Sequence, residues 1–129
     1  ESEARRAARE LLEFVGIARW AGSASAAMPY GALKRLEIAR ALAARPKLLL
    51  LDEPAAGLNP TETREIDALI RRIAEAGTTV VLVEHDMKLV MEVSQRVLVL
   101  DHGRRLAEGS PEAVSADPLV IEAYLGCSA

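Results

Sequence analysis

The stretch Lys-Leu-Leu-Leu-Leu-Asp-Glu-Pro-Ala-Ala-Gly-Leu-Asn-Pro, residues 47–60, decides the fold of this chain. Its leucines, residues 48–51, form an unbroken apolar run that is too short for a helix. Such a run predicts a strand that is buried on both faces, as in a parallel sheet covered by helices. Asp52 and Glu53 follow at the carboxyl end of this strand, which is where open α/β sheets bind their ligands. Pro54 has no N–H to give to a sheet and ends the strand.

The two adjacent acids indicate a chemical role. Two carboxylates after an apolar run are costly to bury unless a cation lies nearby. Because side chains alternate along a strand, Asp52 and Glu53 should point in different directions, so that one faces a metal ion and the other a water molecule. In nucleotide hydrolases, the Asp of such a pair helps to hold Mg²⁺ and the Glu orients or deprotonates the attacking water. Taken alone, the pair fits equally well a strand end that caps the next element.

Composition sets limits on the kind of protein. The chain has 129 residues, enough for one modest domain, and its net charge is −3 with acids and bases interspersed, which does not favour a nucleic-acid surface. Half of the residues are apolar but few are aromatic, so the core should consist of Leu, Val, Ile and Ala. The single cysteine, Cys127, predicts no disulfide framework and suits a reducing compartment. The chain begins at Glu1 rather than Met, and we expect it to be a piece of a longer protein.

Hydrophobic periodicity and helix-start signals predict the order of elements. Helices are predicted over residues 2–15, 30–44, 59–76 and 86–94, with two short ones after Ser110 and Asp117. Strands are predicted over residues 48–51, 78–83, 96–101 and 104–108, the last two joined by a turn at His102-Gly103. For the third helix, Asn59 should be the N-cap, Pro60 the first helical residue and Glu62 the capping-box partner. This order predicts an α/β fold with a largely parallel sheet, preceded by a separate helical layer.

A histidine follows the second predicted strand as Asp52 follows the first. If the two strands are adjacent and parallel, His85 and Asp52 reach the same rim of the sheet. A histidine there can hydrogen-bond to a γ-phosphate or hold the attacking water. The alternative is an exposed turn histidine, which is our interpretation of His102.

These motifs together resemble the ATP-binding subunit of an ABC transporter. Residues 48–53 are similar to the Walker B strand with its catalytic Glu, residues 56–59 to the D-loop, and residues 83–86 to the switch-histidine loop. Residues 28–42 resemble the signature motif and its helix, and residues 101–109 resemble the hairpin that follows. The order and spacing of all five agree, and the resemblance covers nearly the whole chain.

The signature has an unusual sequence, Met-Pro-Tyr-Gly-Ala, in place of the common Leu-Ser-Gly-Gly-Gln. Pro29 replaces the Ser, Tyr30 replaces the first Gly and Ala32 replaces the Gln. Pro-Tyr-Gly is similar to the variant found in transporters for branched-chain amino acids, as are residues 54–60 and 120–126. The resemblance therefore indicates this subfamily.

The resemblance implies a P-loop NTPase-like fold of which this chain has only one half. Residues 1–45 would be part of the helical subdomain, residues 46–109 the catalytic α/β core, and residues 110–129 the C-terminal helices. The sequence contains no Gly-x-x-x-x-Gly-Lys-[Ser/Thr], so the phosphate-loop half is absent. The chain resembles the C-terminal half of the nucleotide-binding domain, and alone it should neither bind ATP tightly nor hydrolyse it.

The resemblance also implies roles for individual residues, with ATP and Mg²⁺ as cofactors. Glu53 and His85 would be catalytic, and Asp52 would bind the metal. In this family two domains pair head to tail, and each ATP lies between the phosphate loop of one and the signature of the other. Without a Ser hydroxyl, phosphate contact at the signature would depend on Gly31, backbone N–H groups and the helix N-terminus. The residues expected to contact nucleotide are Pro29, Tyr30, Gly31, Ala32, Gly57 and Asn59.

The leading interpretation is a subunit that hydrolyses ATP to power the import of branched-chain or similar hydrophobic amino acids. Its partners would be a second ATP-binding subunit, transmembrane permease subunits and, indirectly, a periplasmic or extracellular substrate-binding protein, with no nucleic acid. It would be a peripheral protein on the cytoplasmic face of the cell membrane. One alternative is a soluble family member that acts in DNA repair or translation. Another is a non-catalytic interaction module formed by the truncated chain.

Overall fold

A computed structural model describes residues 2–125, apart from the side chain of residue 125. Gly126 and Cys127, which entered the sequence analysis, lie outside the described residues. The chain divides into two compact units, Glu1–Val83 and Glu84–Ala129.

The first unit contains three helices and a pair of parallel strands. The helices are α1 (Glu3–Phe14), α2 (Tyr30–Ala43) and α3 (Pro60–Glu75), with two short 3₁₀ turns at Ala18–Trp20 and Ser25–Ala27. The strands are β1 (Leu48–Asp52) and β2 (Thr79–Val83), which place Leu50 opposite Val81 and Asp52 opposite Val83. Each predicted element of this unit is present, with its ends within one residue of the prediction.

Local chemistry explains why α3 begins at Pro60. The side-chain oxygen of Asn59 accepts the N–H of Glu62 at 2.8 Å, and the amide of Asn59 donates back to the Glu62 carboxylate. Pro60 has no N–H to lose at the first helical position. The predicted N-cap is therefore confirmed, whereas Glu62 pairs with the side-chain amide of Asn59 and not with the backbone N–H that a capping box uses.

The C-terminus of α1 is capped by arginines from the other two helices. Gly16, with a φ of 82°, ends the helix in the left-handed conformation. Arg35 of α2 donates to the carbonyl of Val15 at 3.2 Å, and Arg72 of α3 donates to the carbonyl of Phe14 at 2.8 Å. Because α1 has no basic residue in its own last turn, these two guanidinium groups supply the positive charge that a helix C-terminus favours.

One apolar core joins the three helices to a single face of the sheet. Its buried members are Val15, Ile17, Met28, Ile38, Ala39, Leu49, Ile66, Leu69, Ile70 and Ile73. Leu49 points into this core, whereas Leu48 and Leu50 are 51% and 68% exposed on the opposite face. The prediction that this strand is buried on both faces is wrong, because the helices of the first unit share a core with Leu49 and leave Leu48 and Leu50 exposed.

The second unit is built around an antiparallel hairpin. It contains α4 (Met87–Val93), β3 (Val97–Asp101), β4 (Arg104–Gly109), α5 (Pro111–Ser115), α6 (Pro118–Val120) and a π-helical turn, Ile121–Leu125. The two strands pair with a register shift after Val99. The N-caps of α4, α5 and α6 are Asp86, Ser110 and Asp117, whose side chains each accept a backbone N–H of the helix that follows.

Candidate functional site

The chain turns sharply directly after Asp52, the last residue of β1. Glu53 donates its N–H to the carbonyl of Val83 at 2.8 Å, but its φ is 46°, in the left-handed region that residues with side chains rarely adopt. The carbonyl of Glu53 accepts the N–H of Ala56 at 3.1 Å. We call residues 53–58 the Glu53 turn. Glu53 has already left the extended conformation, so the alternation of a strand does not apply to it, and the different directions expected for Asp52 and Glu53 stay a prediction.

Both carboxylates are exposed, and Asp52 fits a partial role in metal binding. Among residues 2–125, no group of three or more His, Cys, Asp or Glu side chains is arranged to hold a metal ion. Mg²⁺ in nucleotide sites is usually held by one or two carboxylates, with water and phosphate oxygens completing the shell. Asp52 can supply one such ligand, and the structure offers no all-protein cage around it.

The N-terminus of α2 presents backbone donors without a side-chain cap. Pro29 occupies the N-cap position with extended backbone and makes no side-chain hydrogen bond. The first intrahelical bond runs from the N–H of Leu33 to the carbonyl of Pro29 at 3.0 Å. The N–H groups of the first turn, including those of Gly31 and Ala32, have no acceptor carbonyl within the helix. Such a helix end can bind an anion.

The signature segment, residues 28–32, directly contacts the Glu53 turn. The hydroxyl of Tyr30 donates to the carbonyl of Ala56 at 3.0 Å. Gly57 has a φ of 78°, and a β-carbon on it would lie 3.0 Å from the Tyr30 ring. A β-carbon on Gly31 would collide with the carboxylate of Glu62. Sequence reasoning missed these contacts, since residues so far apart in the chain share no periodic pattern.

The structure therefore brings most of the predicted site residues together in the first unit. Asp52, Glu53 and Gly57 lie at or just after the end of β1, and Asn59 follows them as the cap of α3. The side chain of Asn59 is engaged by Glu62, so the D-loop asparagine stabilises its own helix.

His85 belongs to the second unit. It is exposed, and its N–H is 3.2 Å from the carboxylate of Glu84, which accepts the hydrogen bond. Asp86, the next residue, caps α4. The expected proximity of His85 to Asp52 stays a prediction.

A cleft of about 210 Å³ lies beside the carboxyl end of β1. Lys34 and Glu37 of α2 line one side, and Leu50, Asp52 and Pro54 line the other. Pockets that enclose a drug-sized ligand occupy about 300–1,000 Å³. The volume of this cleft lies below that range.

Sequence comparisons connect this site with known proteins. The chain matches the family model described as "ABC transporter" over residues 1–56 and the model described as "Branched-chain amino acid ATP-binding cassette transporter" over residues 104–126. It is 48% identical over 127 residues to the high-affinity branched-chain amino acid transport ATP-binding protein BraF of Pseudomonas aeruginosa, and equally to LivG of Escherichia coli. Each alignment covers 98% of this chain and 50% of the relative, so the chain spans about half the length of the curated relatives it matches.

Structural comparison leads to the same group of proteins. The crystal structure of MJ1267 in its ADP conformation, described as an ATP-binding cassette of an ABC transporter, superposes with a TM-score of 0.87 at 30% identity. The match covers 98% of this chain and 51% of that structure. The predicted fold class is confirmed by this likeness. Within the part of the chain that the structure describes, none of the helices has the length and apolar character needed to cross a membrane.

Proposed function

Because the chain belongs to the family of ABC transporter ATP-binding proteins, we propose that it is the C-terminal half of a subunit that hydrolyses ATP to import branched-chain or similar hydrophobic amino acids. The observation that carries this proposal is the Glu53 turn, which places two exposed carboxylates at the carboxyl end of a parallel strand pair. The names of the relatives and the Pro-Tyr-Gly signature support the substrate class.

In the proposed reaction, Glu53 acts on the attacking water. The carboxylate of Glu53 orients a water molecule and accepts its proton as the water oxygen forms a bond to the γ-phosphorus. The bond from that phosphorus to the β–γ bridging oxygen breaks, and ADP and inorganic phosphate leave. Asp52 would hold Mg²⁺, which when bound neutralises charge on the phosphate oxygens. His85 would hydrogen-bond to the γ-phosphate.

The signature segment would serve a nucleotide held by a second subunit. We propose a head-to-tail pair in which the N–H groups at the start of α2 bind the γ-phosphate of the partner's ATP. Pro29, Tyr30, Gly31 and Ala32 would form this surface, with Gly57 and Asn59 beside it. The division into a helical part (1–45), a catalytic core (46–109) and C-terminal helices (110–129) remains part of this proposal.

The whole subunit would work at the cytoplasmic face of the membrane, bound to permease subunits. A substrate-binding protein would deliver the amino acid to the permease from the other side. Leucine uptake into vesicles that contain the assembled transporter tests this part of the proposal. ATP turnover that drives no uptake of any branched-chain amino acid would favour a soluble ATPase instead.

The central test separates Glu53 from Asp52 in the full-length subunit. Glu53→Gln keeps the size of the side chain but loses the base, so phosphate release should fall about 10²- to 10⁴-fold. This variant should still bind Mg-ATP and should elute as an ATP-bound dimer in size-exclusion chromatography. Asp52→Asn, the matched control, should instead weaken the dependence of ATP binding on Mg²⁺. Wild-type turnover by the Glu53→Gln protein would remove Glu53 from the mechanism.

A further inference from the structure

One side chain connects the signature segment to the main chain of Glu53. The Tyr30 hydroxyl donates to the carbonyl of Ala56 at 3.0 Å, and the N–H of Ala56 donates to the carbonyl of Glu53 at 3.1 Å. Ala56 therefore makes both hydrogen bonds, one through its carbonyl and one through its N–H. All three residues lie in the first unit.

The Tyr30 ring is held in place on two sides. It lies against Gly57, where a side chain would leave no room for it, and the Lys34 ammonium lies 5.5 Å from the ring centroid. Yet Tyr30 is 51% exposed and is absent from the apolar core of its unit. A half-exposed ring with a directed hydroxyl indicates a role in placing the loop more than a role in packing.

The Glu53 turn requires such external support. A φ of 46° costs free energy for a residue with a side chain, and this conformation persists only where the surroundings determine it. Two backbone hydrogen bonds hold Glu53 in this conformation: its N–H donates to Val83, and its carbonyl accepts from Ala56. Tyr30 in turn restrains Ala56.

We propose that Tyr30 is a positioning residue that holds the Glu53 turn in its hydrolytic geometry and so couples that turn to the start of α2. The role assigned to Glu53 rests on the proposed function. Tyr30 is the first residue of α2, so a phosphate bound at that helix end and the geometry of Glu53 become linked through one side chain.

The test is Tyr30→Phe in the full-length subunit, which removes only the hydroxyl. Loss of one neutral hydrogen bond should lower kcat for ATP about 2- to 10-fold without changing the KM. In a Glu53→Gln background, Tyr30→Phe should not lower kcat further, because the residue that Tyr30 positions no longer acts as a base. A further drop in that background would overturn the proposal.

Tyr124→Phe is the matched control. The Tyr124 hydroxyl also donates to a backbone carbonyl, that of Leu100, within the second unit. This variant loses the same atom from the same type of bond and should keep the wild-type kcat. An equal loss in both variants would mean that any such hydroxyl matters, and it would overturn the assignment to Tyr30.

Hydrogen exchange without nucleotide separates this inference from the proposed function. The Ala56 amide should exchange about 2- to 10-fold faster in Tyr30→Phe than in the wild type, and at the wild-type rate in Tyr124→Phe. Unchanged exchange at Ala56 would refute the link whatever the ATPase result. Faster exchange in a protein that does not hydrolyse ATP would support the link and refute the proposed function.

Discussion

Two reasons, one observed and one proposed, favour a glycine at position 31. The carboxylate of Glu62 lies where a β-carbon would be, and the helix start beside it is where we propose that a phosphate binds. The carboxylate is the far end of a flexible side chain and can rotate away. The proposed phosphate, in contrast, needs close approach to the backbone itself.

Because a β-carbon on Gly31 would keep a phosphate away from the backbone N–H groups at the start of α2, we expect Gly31→Ala to lower ATP turnover about 100-fold or more in the full-length subunit. Binding of ATP by the monomer should remain, because the affected nucleotide belongs to the partner. Turnover and monomer binding are measured together.

Adding Glu62→Ala identifies the cause of that loss. The double variant should stay inactive if phosphate approach is what requires Gly31, and Glu62→Ala alone provides the baseline. Recovery of turnover in the double variant would show that the collision within the chain was the reason.

The residues of the site differ in how far the sequence could predict them. The Asn59 cap and its Glu62 partner were predictable because helix-start chemistry is local. The bond from Tyr30 to Ala56 was not, since these residues are 26 positions apart and meet only after α2 has packed beside the strand pair. The left-handed φ of Glu53 was missed for a similar reason, because its bond to Val83 forms only when the strands pair.

Among the helices, α1 depends on its neighbours for its C-terminal cap. The Arg72 guanidinium donates to the carbonyl of Phe14 and lies 4.5 Å from the centroid of the Phe14 ring. We expect Arg72→Ala to lower the free energy of unfolding of the full-length subunit by about 1–2 kcal/mol, from the lost hydrogen bond and cation–π contact. Urea denaturation measures this change.

Arg64→Ala on the same helix is the control for Arg72→Ala. Arg64 hydrogen-bonds to Thr61 one turn earlier and touches no other helix through that bond. The control should change the unfolding free energy by less than about 0.5 kcal/mol. Equal urea midpoints for the two variants would show that capping of α1 by Arg72 contributes nothing measurable.

The sequence predicted the positions of helices and strands better than it predicted which of their faces are buried. Turn residues and N-caps mark where helices begin, and those signals are local. Which face of a strand is covered depends on residues elsewhere in the chain. Four consecutive leucines do not indicate which of them will be buried. The exposed Leu48 and Leu50 therefore had to be found in the structure.

For the chain as a whole, we expect the lack of a phosphate-loop motif in its sequence to prevent ATP turnover. The sequence has no Gly-x-x-x-x-Gly-Lys-[Ser/Thr], and the volume of the cleft beside Asp52 lies below the range typical of ligand pockets. We expect the purified chain of 129 residues to show no ATP turnover above that of its Asp52→Ala variant. Phosphate release measured on both proteins checks this, and turnover above the Asp52→Ala value would reveal a phosphate-binding element that we have not identified.

We expect the exposed apolar face of the β1–β2 sheet to affect how the chain behaves at high concentration. Leu48, Leu50, Val81 and Val83 present adjoining apolar side chains, and within the described residues β1 and β2 pair only with each other. Each strand thus has an unpaired edge beside an apolar face, and short β-prone segments of low charge stack through such edges into amyloid-like fibrils. The strand that ends at Asp52 is therefore one that we expect to promote aggregation of the solitary chain.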